Sequence, residues 1–510
     1  MTLTGRVFII GAGPGDPGLI SARGVRLLAA ADVVVYDRAV EAVLRWARAD
    51  SERIAAGAPA EREVAQDAIS MLLAEKARDG HTVARLKWGD AFVFDSGAKE
   101  ALFLHEQGVP FEVVPGIPAA VGGTAYAGVP LTYPGAGDAL VLLRGQEGET
   151  DTAPDVDWSA LAKLDGTLVC YAGARTVPSI LQSLVDGGVP MDQAAALIYG
   201  GTQPGQRTVT GSVEELLKST SAGSNGEAAI LVVGEVACLR DHLRWFDERP
   251  LFGRRIVVTR TREQARDLVE GLENLGALPI EAPMFRLAPP EDPEAVDRAA
   301  ASVDGYDWVV FESANSVAQF FSALTRGPRD LRALGHVSLC AIGPSTAEWL
   351  TNNGIKADVV IPEFRVESIS EALSARAPLA DQRVLVVRPD HLRDVLADDL
   401  ARRGARVTDL IAYRAVPESP DGPVVQELYR TLLEGRIDAV TFTNPTSLGM
   451  FASLIGQEQA TDLLNTTTVA AIGPVTAAAA TELGIRTTIV ARSYTVEGLL
   501  AALVEHFRRP

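Results

Sequence analysis

The hydrophobic pattern alternates between two kinds of segment along the whole chain. Short apolar runs rich in branched residues are typical of buried strands, and the Ala- and Leu-rich segments between them have the periodicity of amphipathic helices. The strand candidates of the first half are Val7 to Ile10, Val33 to Tyr36, Val83 to Leu86, Phe111 to Val114, Ala139 to Leu143, Thr167 to Tyr171, Ala196 to Tyr199 and Ala229 to Val233. Strands that alternate with helices in this way predict α/β domains.

Two interruptions divide this series. The sequence "VPGIP" at residues 114–118 breaks the first half and predicts two lobes there. A charged stretch, "RWFDERPLFGRR" at residues 244–255, precedes a new strand and predicts the main domain boundary. The predicted parts are a first domain over 1–245 with lobes at about 1–115 and 116–245, a linker over 246–253, and a second domain over 254–510.

The second half of the chain repeats itself. Segments beginning at Arg254, Tyr306 and Ala341 recur at Gln382, Ile437 and Ala471, which are offsets of 128, 131 and 130 residues. Three recurrences at nearly one period predict two homologous α/β lobes. In each repeat a strand is followed by a small polar turn and then a helix. Such turns gather at the carboxyl edge of a parallel sheet, where open α/β folds bind ligands, so two facing edges predict a cleft.

Polar side chains in these turns are the candidate ligand contacts. At a helix start they cap free N–H groups, and the same N–H groups can hold carboxylates, so both interpretations stay open. The candidates are Ser313, Asn315, Ser345, Thr346, Asn444, Thr446 and Thr476, together with Arg260, Arg388 and Arg414 at the ends of strands. Their symmetry suits a large ligand with many peripheral anionic groups. This half has no metal motif, nucleophile elbow or Cys-His pair, so an enzyme built from it would act by holding and shaping a reactive substrate.

Composition narrows the classes of partner. The formal net charge of −19 argues against a nucleic-acid or anionic-membrane binder. Cys170, Cys238 and Cys340 are far apart, which predicts neither a disulfide framework nor a metal site. The chain begins without a signal peptide and has no apolar run of ~18 residues, so we expect a soluble cytoplasmic protein.

Residues 254–510 resemble uroporphyrinogen-III synthases over their whole length, through "VVTR", "FESAN", "AIGPSTA", "LIAYR", "FTNPTS" and "AIGPVTA" in that order. The resemblance implies two α/β lobes joined by a two-stranded linker, one made of 254–286 plus 416–510 and the other of 287–415. It also implies that hydroxymethylbilane, an octacarboxylate tetrapyrrole, is closed with inversion of its last pyrrole ring and loss of water, without a cofactor.

The same resemblance assigns roles to individual residues. Thr346 and Thr476 would be substrate-binding hydroxyls, and Asn444 stands where the family usually has Ser. Tyr413 of "IAYR" would assist loss of the leaving hydroxyl. Glu312 departs from a more usual Thr, and an acidic group is unexpected beside an anionic substrate.

The first half opens on a glycine-rich turn, "GAGPGDPGL", that does not fit a dinucleotide fingerprint because Pro14 and Pro17 interrupt it. With "VVVYDR", "VPFEVVPGI", "AYAGVPLT" and "GGTQPGQRTVTG", it resembles the S-adenosylmethionine-dependent uroporphyrinogen-III C-methyltransferases, a fold of two lobes with the cofactor between them. The resemblance places cofactor contacts at Gly11, Gly13, Pro14, Gly15, Asp37, Gly89, Asp90, Thr202 and Pro204.

Several departures fall on the chemical positions of that family. Ser96 stands where the family has the arginine proposed to handle the substrate proton, and Lys99 stands in place of an acidic residue. Trp88 replaces a glycine in a loop that approaches the cofactor, and Ala172 replaces a methionine that contacts it. Framework motifs survive around these changes, which predicts a lobe that keeps its fold and loses S-adenosylmethionine chemistry.

Three hypotheses follow. In the first, the chain is a uroporphyrinogen-III synthase fused to a degenerate methylase domain that serves as a scaffold or binding module. In the second, both halves work and the chain also methylates uroporphyrinogen III toward precorrin-2, for sirohaem or cobalamin. In the third, the paired lobes form a ligand sensor without catalysis. The expected partner is the small-molecule tetrapyrrole substrate, neither nucleic acid nor membrane, and a dimer through the methylase-like domain stays open.

Overall fold

The structure is a computed structural model that describes residues 5–56, 62–145, 153–173, 175–220, 228–327, 329–362, 365–390 and 395–508. It divides into two units, Met1–Gly253 and Arg254–Pro510. Among the described helices, none combines the length and apolar character needed to cross a bilayer.

The first sheet of the first unit is parallel throughout, in the order β3-β2-β4-β1-β5. Its strands are β1 (Arg6–Gly11), β2 (Val33–Tyr36), β3 (Glu52–Ala55), β4 (Thr82–Lys87) and β5 (Phe111–Val114). Helices α1 (Ala22–Ala30), α2 (Arg62–Arg78) and α3 (Gly97–Glu106) connect them. The central strands are buried on both faces, which explains why they read as continuous apolar runs.

The second sheet of this unit is mixed, in the order β6-β7-β10-β8-β9. Its strands are β6 (Ala139–Arg144), β7 (Gly166–Gly173), β8 (Ala194–Tyr199), β9 (Arg207–Ser212) and β10 (Ala228–Val233). The helices of this part are α4 (Ala119–Tyr126), α5 (Trp158–Leu161), α6 (Val177–Gly187), α7 (Val213–Thr220) and α8 (Arg240–Leu243). The chain passes from one sheet to the other through residues 114–118, the "VPGIP" segment.

The end of the first unit packs onto its own core. Phe246 is buried, and its ring lies 4.8 Å from that of Tyr126 and 5.4 Å from that of Phe252. The indole of Trp245 donates a hydrogen bond to Ala125 O. Residues 246–253, which the sequence marks as a linker, therefore belong to the first unit, and the division falls after Gly253.

The second unit also has two sheets. Its strands are β11 (Arg255–Val258), β12 (Leu278–Glu281), β13 (Phe285–Ala288), β14 (Trp308–Phe311), β15 (Ser338–Ile342), β16 (Val359–Ile361), β17 (Arg383–Pro389), β18 (Arg406–Pro417), β19 (Ala439–Phe442), β20 (Thr468–Ala471) and β21 (Ile489–Val490). Its helices are α9 (Arg262–Asn274), α10 (Pro293–Ala301), α11 (Ala314–Arg326), α12 (Pro344–Asn352), α13 (Val366–Arg376), α14 (Val395–Arg402), α15 (Pro423–Leu433), α16 (Pro445–Ile455), α17 (Gln457–Asn465), α18 (Pro474–Glu482) and α19 (Val496–Phe507).

The predicted repeat is confirmed by the order of these strands. One sheet runs β12-β11-β19-β20-β21, and the other runs β18-β17-β14-β15-β16 with β13 added beside β18. Strands at matching places in the two orders are the segments that recur in the sequence. Even local contacts are repeated, because Asp438 accepts a hydrogen bond from Arg255 N and Asp307 accepts one from Arg383 N, each at 2.8 Å. The chain crosses between these two lobes on the antiparallel pair β13 and β18.

Candidate active site

Each lobe of the second unit has one point where neighbouring strands lead the chain in opposite directions. These switch points lie between β11 and β19 in one lobe and between β17 and β14 in the other. Ligands of open α/β sheets bind at the carboxyl ends of the strands at such points. The segments that leave the four strands there begin at Thr259, Thr443, Asp390 and Glu312.

The switch point between β11 and β19 holds buried polar atoms that have no hydrogen-bond partner among the described residues. They are Arg260 Nε, Thr261 Oγ1 and Ser447 Oγ. Burial lowers the pKa of Arg260, although Asp267 and Glu348 act in the opposite direction. An arginine and two hydroxyls can all donate hydrogen bonds, so this edge is suited to bind an anion.

Arg388 occupies the place in the other lobe that Arg260 has in the first, but its guanidinium is already engaged. Its Nε and Nη2 donate to the two carboxylate oxygens of Asp409 at 2.7 and 2.6 Å, and its Nη1 donates to Pro389 O at 3.1 Å. Glu281 corresponds to Asp409 in the first lobe and is exposed. The same motif therefore gives one arginine held by a bidentate ion pair and one with an unpartnered Nε.

Tyr413 is 5% exposed and lies beside Ser313, with the phenol oxygen 3.2 Å from Ser313 Oγ. A register shift between Arg388 and Pro389 places Tyr413 opposite Pro389, because a bulge re-aims the side chains of a strand. Burial raises the pKa of Tyr413, and hydrogen bonds to Ser313 and Asn315 partly offset this effect. The phenol therefore keeps its proton at neutral pH.

Ser313 and Asn315 belong to the first turn of α11. Ser313 is its N-cap and accepts a hydrogen bond from Ser316 N at 3.1 Å. The capping interpretation is thus correct for Ser313, and the same hydroxyl also contacts the phenol of Tyr413. Asn315 Oδ1 accepts a hydrogen bond of 2.9 Å from Gln264 Nε2 on α9, so the carboxyl edges of the two lobes meet here. Gln264 lies in the segment that begins at Arg254 and recurs at Gln382, but nothing in that segment assigns it a contact with the other lobe.

The other predicted contacts of this unit are spread over the same two edges. Thr346 and Thr476 are buried in the first turns of α12 and α18, while Ser345 is exposed. Asn444 is the N-cap of α16 and accepts a hydrogen bond from Ser447 N at 2.7 Å, and Thr446 follows it half-buried. Arg414 is half-buried and donates from Nε to Pro289 O.

In the first unit, three predicted loops converge on backbone contacts that only glycine permits. A Cβ on Gly11 would lie 2.5 Å from Gly116 N, and one on Gly116 would lie 2.2 Å from Gly89 O. Gly13 and Gly89, both with positive φ, exchange hydrogen bonds of 3.1 and 2.8 Å. These glycines are explained by close approach and by the left-handed conformation.

Asp90, Gly15 and Thr202 close the same region. Asp90 Oδ2 accepts a hydrogen bond from Gly116 N at 2.8 Å. Thr202 Oγ1 accepts one from Asp16 N at 3.1 Å, and a Cβ on Gly15 would lie 3.0 Å from that hydroxyl. Thr202 has a φ of +72°, a strained conformation for a β-branched residue, and Pro204 lies partly exposed in the same turn.

Asp37 belongs to a buried network of charges. Its carboxylate lies 2.7 Å from Arg85 Nη2 and 3.7 Å from Lys87 Nζ. Both cations also pair with Glu100, and Lys87 Nζ lies 2.8 Å from Ser96 Oγ. Burial would raise the pKa of Asp37, but the two cations outweigh it and the pKa is lowered. Asp37 is therefore ionised and held in place.

The indole of Trp88 lies against the first glycine-rich turn. Its Nε1 donates a hydrogen bond of 2.9 Å to Pro14 O, and the ring is partly buried. The carbonyl of Pro14 is thereby satisfied inside the domain. Trp88 N lies 3.4 Å from Asp37 Oδ2, so the indole stands between two segments that the sequence assigns to cofactor binding.

Comparison with known proteins accounts for both units. Family models match residues 6–217, as tetrapyrrole (corrin/porphyrin) methylases, and residues 266–501, as uroporphyrinogen-III synthase HemD. The porphyrin biosynthesis protein HemD of Ruminiclostridium josui is 31% identical over 505 residues, which are 98% of either chain. The chain belongs to the family of this protein.

Two further relatives match a smaller share of the chain. A uroporphyrinogen-III C-methyltransferase of Bacillus subtilis is 33% identical over 361 residues, 70% of this chain and 74% of that protein. A siroheme synthase of Methylococcus capsulatus is 42% identical over 247 residues, 48% of this chain and 52% of that protein. The predicted fold class and fusion of a methylase domain with a synthase domain are confirmed.

Proposed function

We propose that the synthase domain converts hydroxymethylbilane to uroporphyrinogen III, with inversion of the last pyrrole ring and loss of water. One observation carries this proposal. At the switch points of both lobes lie buried polar atoms that find no partner in the described part of the chain: Arg260 Nε, Thr261 Oγ1 and Ser447 Oγ in one, and the Glu312 carboxylate in the other. Buried polar groups of folded proteins are normally hydrogen-bonded, so unpartnered ones at a binding edge indicate a polar ligand.

The unpartnered donors match the periphery of the substrate. Hydroxymethylbilane carries eight carboxylates, and the β11–β19 edge offers Arg260 and two hydroxyls to receive them. Charge-assisted hydrogen bonds of this kind are about twice as strong as neutral ones. Thr346 and Thr476, in the first turns of α12 and α18, add hydroxyls beside helix N-termini, which favour anions.

Tyr413 supplies the proton for the first chemical step. Its phenol donates a proton to the terminal hydroxyl of the substrate as the carbon–oxygen bond breaks, and the hydroxyl leaves as water. The proton lost from carbon when the ring closes restores the phenol. Ser313 and Asn315 fix the orientation of the ring, because both hydrogen-bond its hydroxyl.

For the methylase domain we propose that no methyl group is transferred. The backbone framework of the family is intact around Gly11, Gly89 and Gly116. The residues do not fit S-adenosylmethionine, because the indole of Trp88 covers the first turn and takes the Pro14 carbonyl. Ser96, where the related methyltransferases have arginine, contacts Lys87 and carries no charge of its own.

One experiment tests both proposals. The purified chain is incubated with hydroxymethylbilane, with and without labelled S-adenosylmethionine, and the products are separated after oxidation. We expect the type III isomer in both reactions and no label in the tetrapyrrole. Formation of the type I isomer alone, which arises spontaneously, would contradict the synthase proposal. Labelled precorrin-2 would establish methylation, which the similarity to methyltransferases and siroheme synthases makes the second candidate function.

A further inference from the structure

The side-chain carboxylate of Glu312 is buried and has no hydrogen-bond partner among the residues that the structure describes. It follows β14 directly, its backbone N donates to Val387 O at 3.1 Å, and the residue is 8% exposed. Within the described part of the chain, neither carboxylate oxygen lies within hydrogen-bonding distance of a donor. A buried carboxylate without a hydrogen-bond donor carries a large desolvation cost, so the position is unfavourable for stability alone.

Arg388, at the end of the neighbouring strand β17, does not donate a hydrogen bond to this carboxylate. Arg388 acts on Glu312 through its charge, but its Nε and Nη2 donate to Asp409 and its Nη1 donates to Pro389 O. Asp409 adds a like charge in the same neighbourhood. Tyr413 is also close enough for its pKa to be raised by Glu312, as it is by Asp390. The groups around Glu312 thus leave its hydrogen-bonding capacity open toward the switch point.

The internal repeat shows that an acidic residue stands at this position in only one of the two lobes. Glu312 corresponds to Thr443 in the other lobe, which stands at the end of β19 beside the unpartnered donors. Among the unpartnered buried atoms, those of one edge are therefore hydrogen-bond donors, and those of the other edge are acceptors. A ligand that satisfies both must carry acceptors on one part of its surface and hydrogen-bond donors on another.

We infer that the Glu312 carboxylate accepts a hydrogen bond from the pyrrole N–H groups of the bound tetrapyrrole. This inference rests on the proposed synthase function and identifies the part of the substrate that the second lobe recognises. The peripheral carboxylates of a linear tetrapyrrole are repelled by Glu312, whereas its pyrrole N–H groups are donors that no anion-binding residue can use. An ionised acceptor also gives a stronger hydrogen bond than a neutral one.

The test compares Glu312→Gln and Glu312→Thr with the wild-type chain at pH 8, in the type III isomer assay. Gln has nearly the same shape as Glu, and Thr is the residue at the equivalent position, Thr443, of the other lobe. Both variants are therefore compatible with the local fold. Glu371→Gln, on the exposed face of α13, is the matched control. We expect KM for hydroxymethylbilane to rise about tenfold in both Glu312 variants, with kcat within about threefold, since a charge-assisted hydrogen bond is lost.

Two further readouts separate binding from folding. The variants are expected to melt at or above the wild-type temperature, because an unpartnered buried charge is removed. KM of the wild type is expected to rise as the pH falls from 8 to 6, and that dependence is expected to disappear in Glu312→Gln.

A wild-type KM in Glu312→Gln, or a fall in kcat with KM unchanged, would overturn the inference while leaving the synthase proposal intact. A wild-type chain that yields only the type I isomer fails before any variant is compared, and that result refutes the synthase proposal itself.

Discussion

The phenol of Tyr413 and the hydroxyl of Ser313 lie 3.2 Å apart, although one hundred residues separate them in the chain. Ser313 holds this position because it caps α11, and Tyr413 reaches it because the register of β18 shifts against β17. A helix N-terminus and a strand irregularity thus fix the geometry of a buried proton donor.

Replacement of Tyr413 by Phe is expected to lower kcat about 100-fold, because the leaving hydroxyl loses its proton donor. The free energy of unfolding should change by no more than about 1 kcal/mol, since one modest hydrogen-bonding group is removed. Steady-state kinetics and urea unfolding measure the two effects. Tyr429→Phe on α15 is the control. An unchanged kcat would show that Tyr413 is an interior packing residue.

Arg260 and Arg388 are expected to respond differently to the same substitution, although they occupy equivalent places. Arg388→Ala leaves Asp409 without its bidentate partner and should lower the free energy of unfolding by about 2 kcal/mol, since Asp409 is partly solvated. Arg260→Ala removes a guanidinium whose Nε has no partner, so stability should change little while KM for hydroxymethylbilane rises about tenfold. Urea unfolding and kinetics of both variants check this contrast, and equal losses of stability would contradict it.

The architecture was largely predictable because it rests on local and periodic signals. The repeat in residues 254–510 predicted two equivalent sheets, and buried central strands such as β4 and β14 show as apolar runs. Strands β3 and β9 gave no comparable signal, because they lie at sheet edges and are only partly buried.

The sequence supplied candidate residues for the site but did not predict their contacts. The sequence placed Arg260 and Arg388 in equivalent motifs. Only tertiary packing decides that Asp409 pairs with Arg388, whereas the equivalent Glu281 is exposed. Gln264, which joins the lobes at Asn315, lies in a repeated segment that carries no signal for this contact. The bond from Trp88 to Pro14 spans 74 residues and depends on how two loops approach.

Glu312 makes stability depend on pH in a direction opposite to that of most carboxylates. Burial raises its pKa from 4.5 to about 7, while Arg388 opposes the shift. Between these two values the folded chain keeps a proton that the unfolded chain has lost, so stability falls as pH rises through this window. The charge then costs about 3 kcal/mol above pH 7 and nothing below pH 4.5.

The variant Glu312→Gln lacks this titration. Its free energy of unfolding is therefore expected to exceed that of the wild type by more at pH 8 than at pH 5. Urea unfolding at both values measures the difference, and Glu371→Gln should show no such pH dependence. A difference that is equal at the two values would mean that Glu312 ionises at its ordinary pKa.

The synthase domain is expected to fold and act without the methylase domain. Both of its sheets, its four switch-point strands and all the residues assigned to the substrate lie within residues 254–510. A fragment of these residues should unfold cooperatively in urea and form the type III isomer at a rate within about threefold of the full chain. Loss of the type III product in a folded fragment would show that the first unit contributes to the reaction.

The glycine-rich turn at Gly11 to Gly15 is expected to keep its backbone conformation but not its cofactor. Titration calorimetry should show weak or no binding of S-adenosylmethionine. Methyl transfer requires the sulfonium and the acceptor carbon to be held within ~3.5 Å in line, which needs an open turn. In this chain the indole of Trp88 covers the turn and its Nε1 takes Pro14 O, whereas a glycine there would leave both the space and the carbonyl free. Trp88→Gly is therefore expected to bind S-adenosylmethionine more tightly than the wild type.

This variant should still transfer no methyl group, because Ser96 cannot supply the charge of a guanidinium. Trp46→Phe is the matched control, since the indole Nε1 of Trp46 lies near Pro17 O in the wild type. This variant should bind S-adenosylmethionine no better than the wild type. Stoichiometric binding by the wild type, together with precorrin-2 among its products, would show that Trp88 and Ser96 are tolerated in an active methyltransferase.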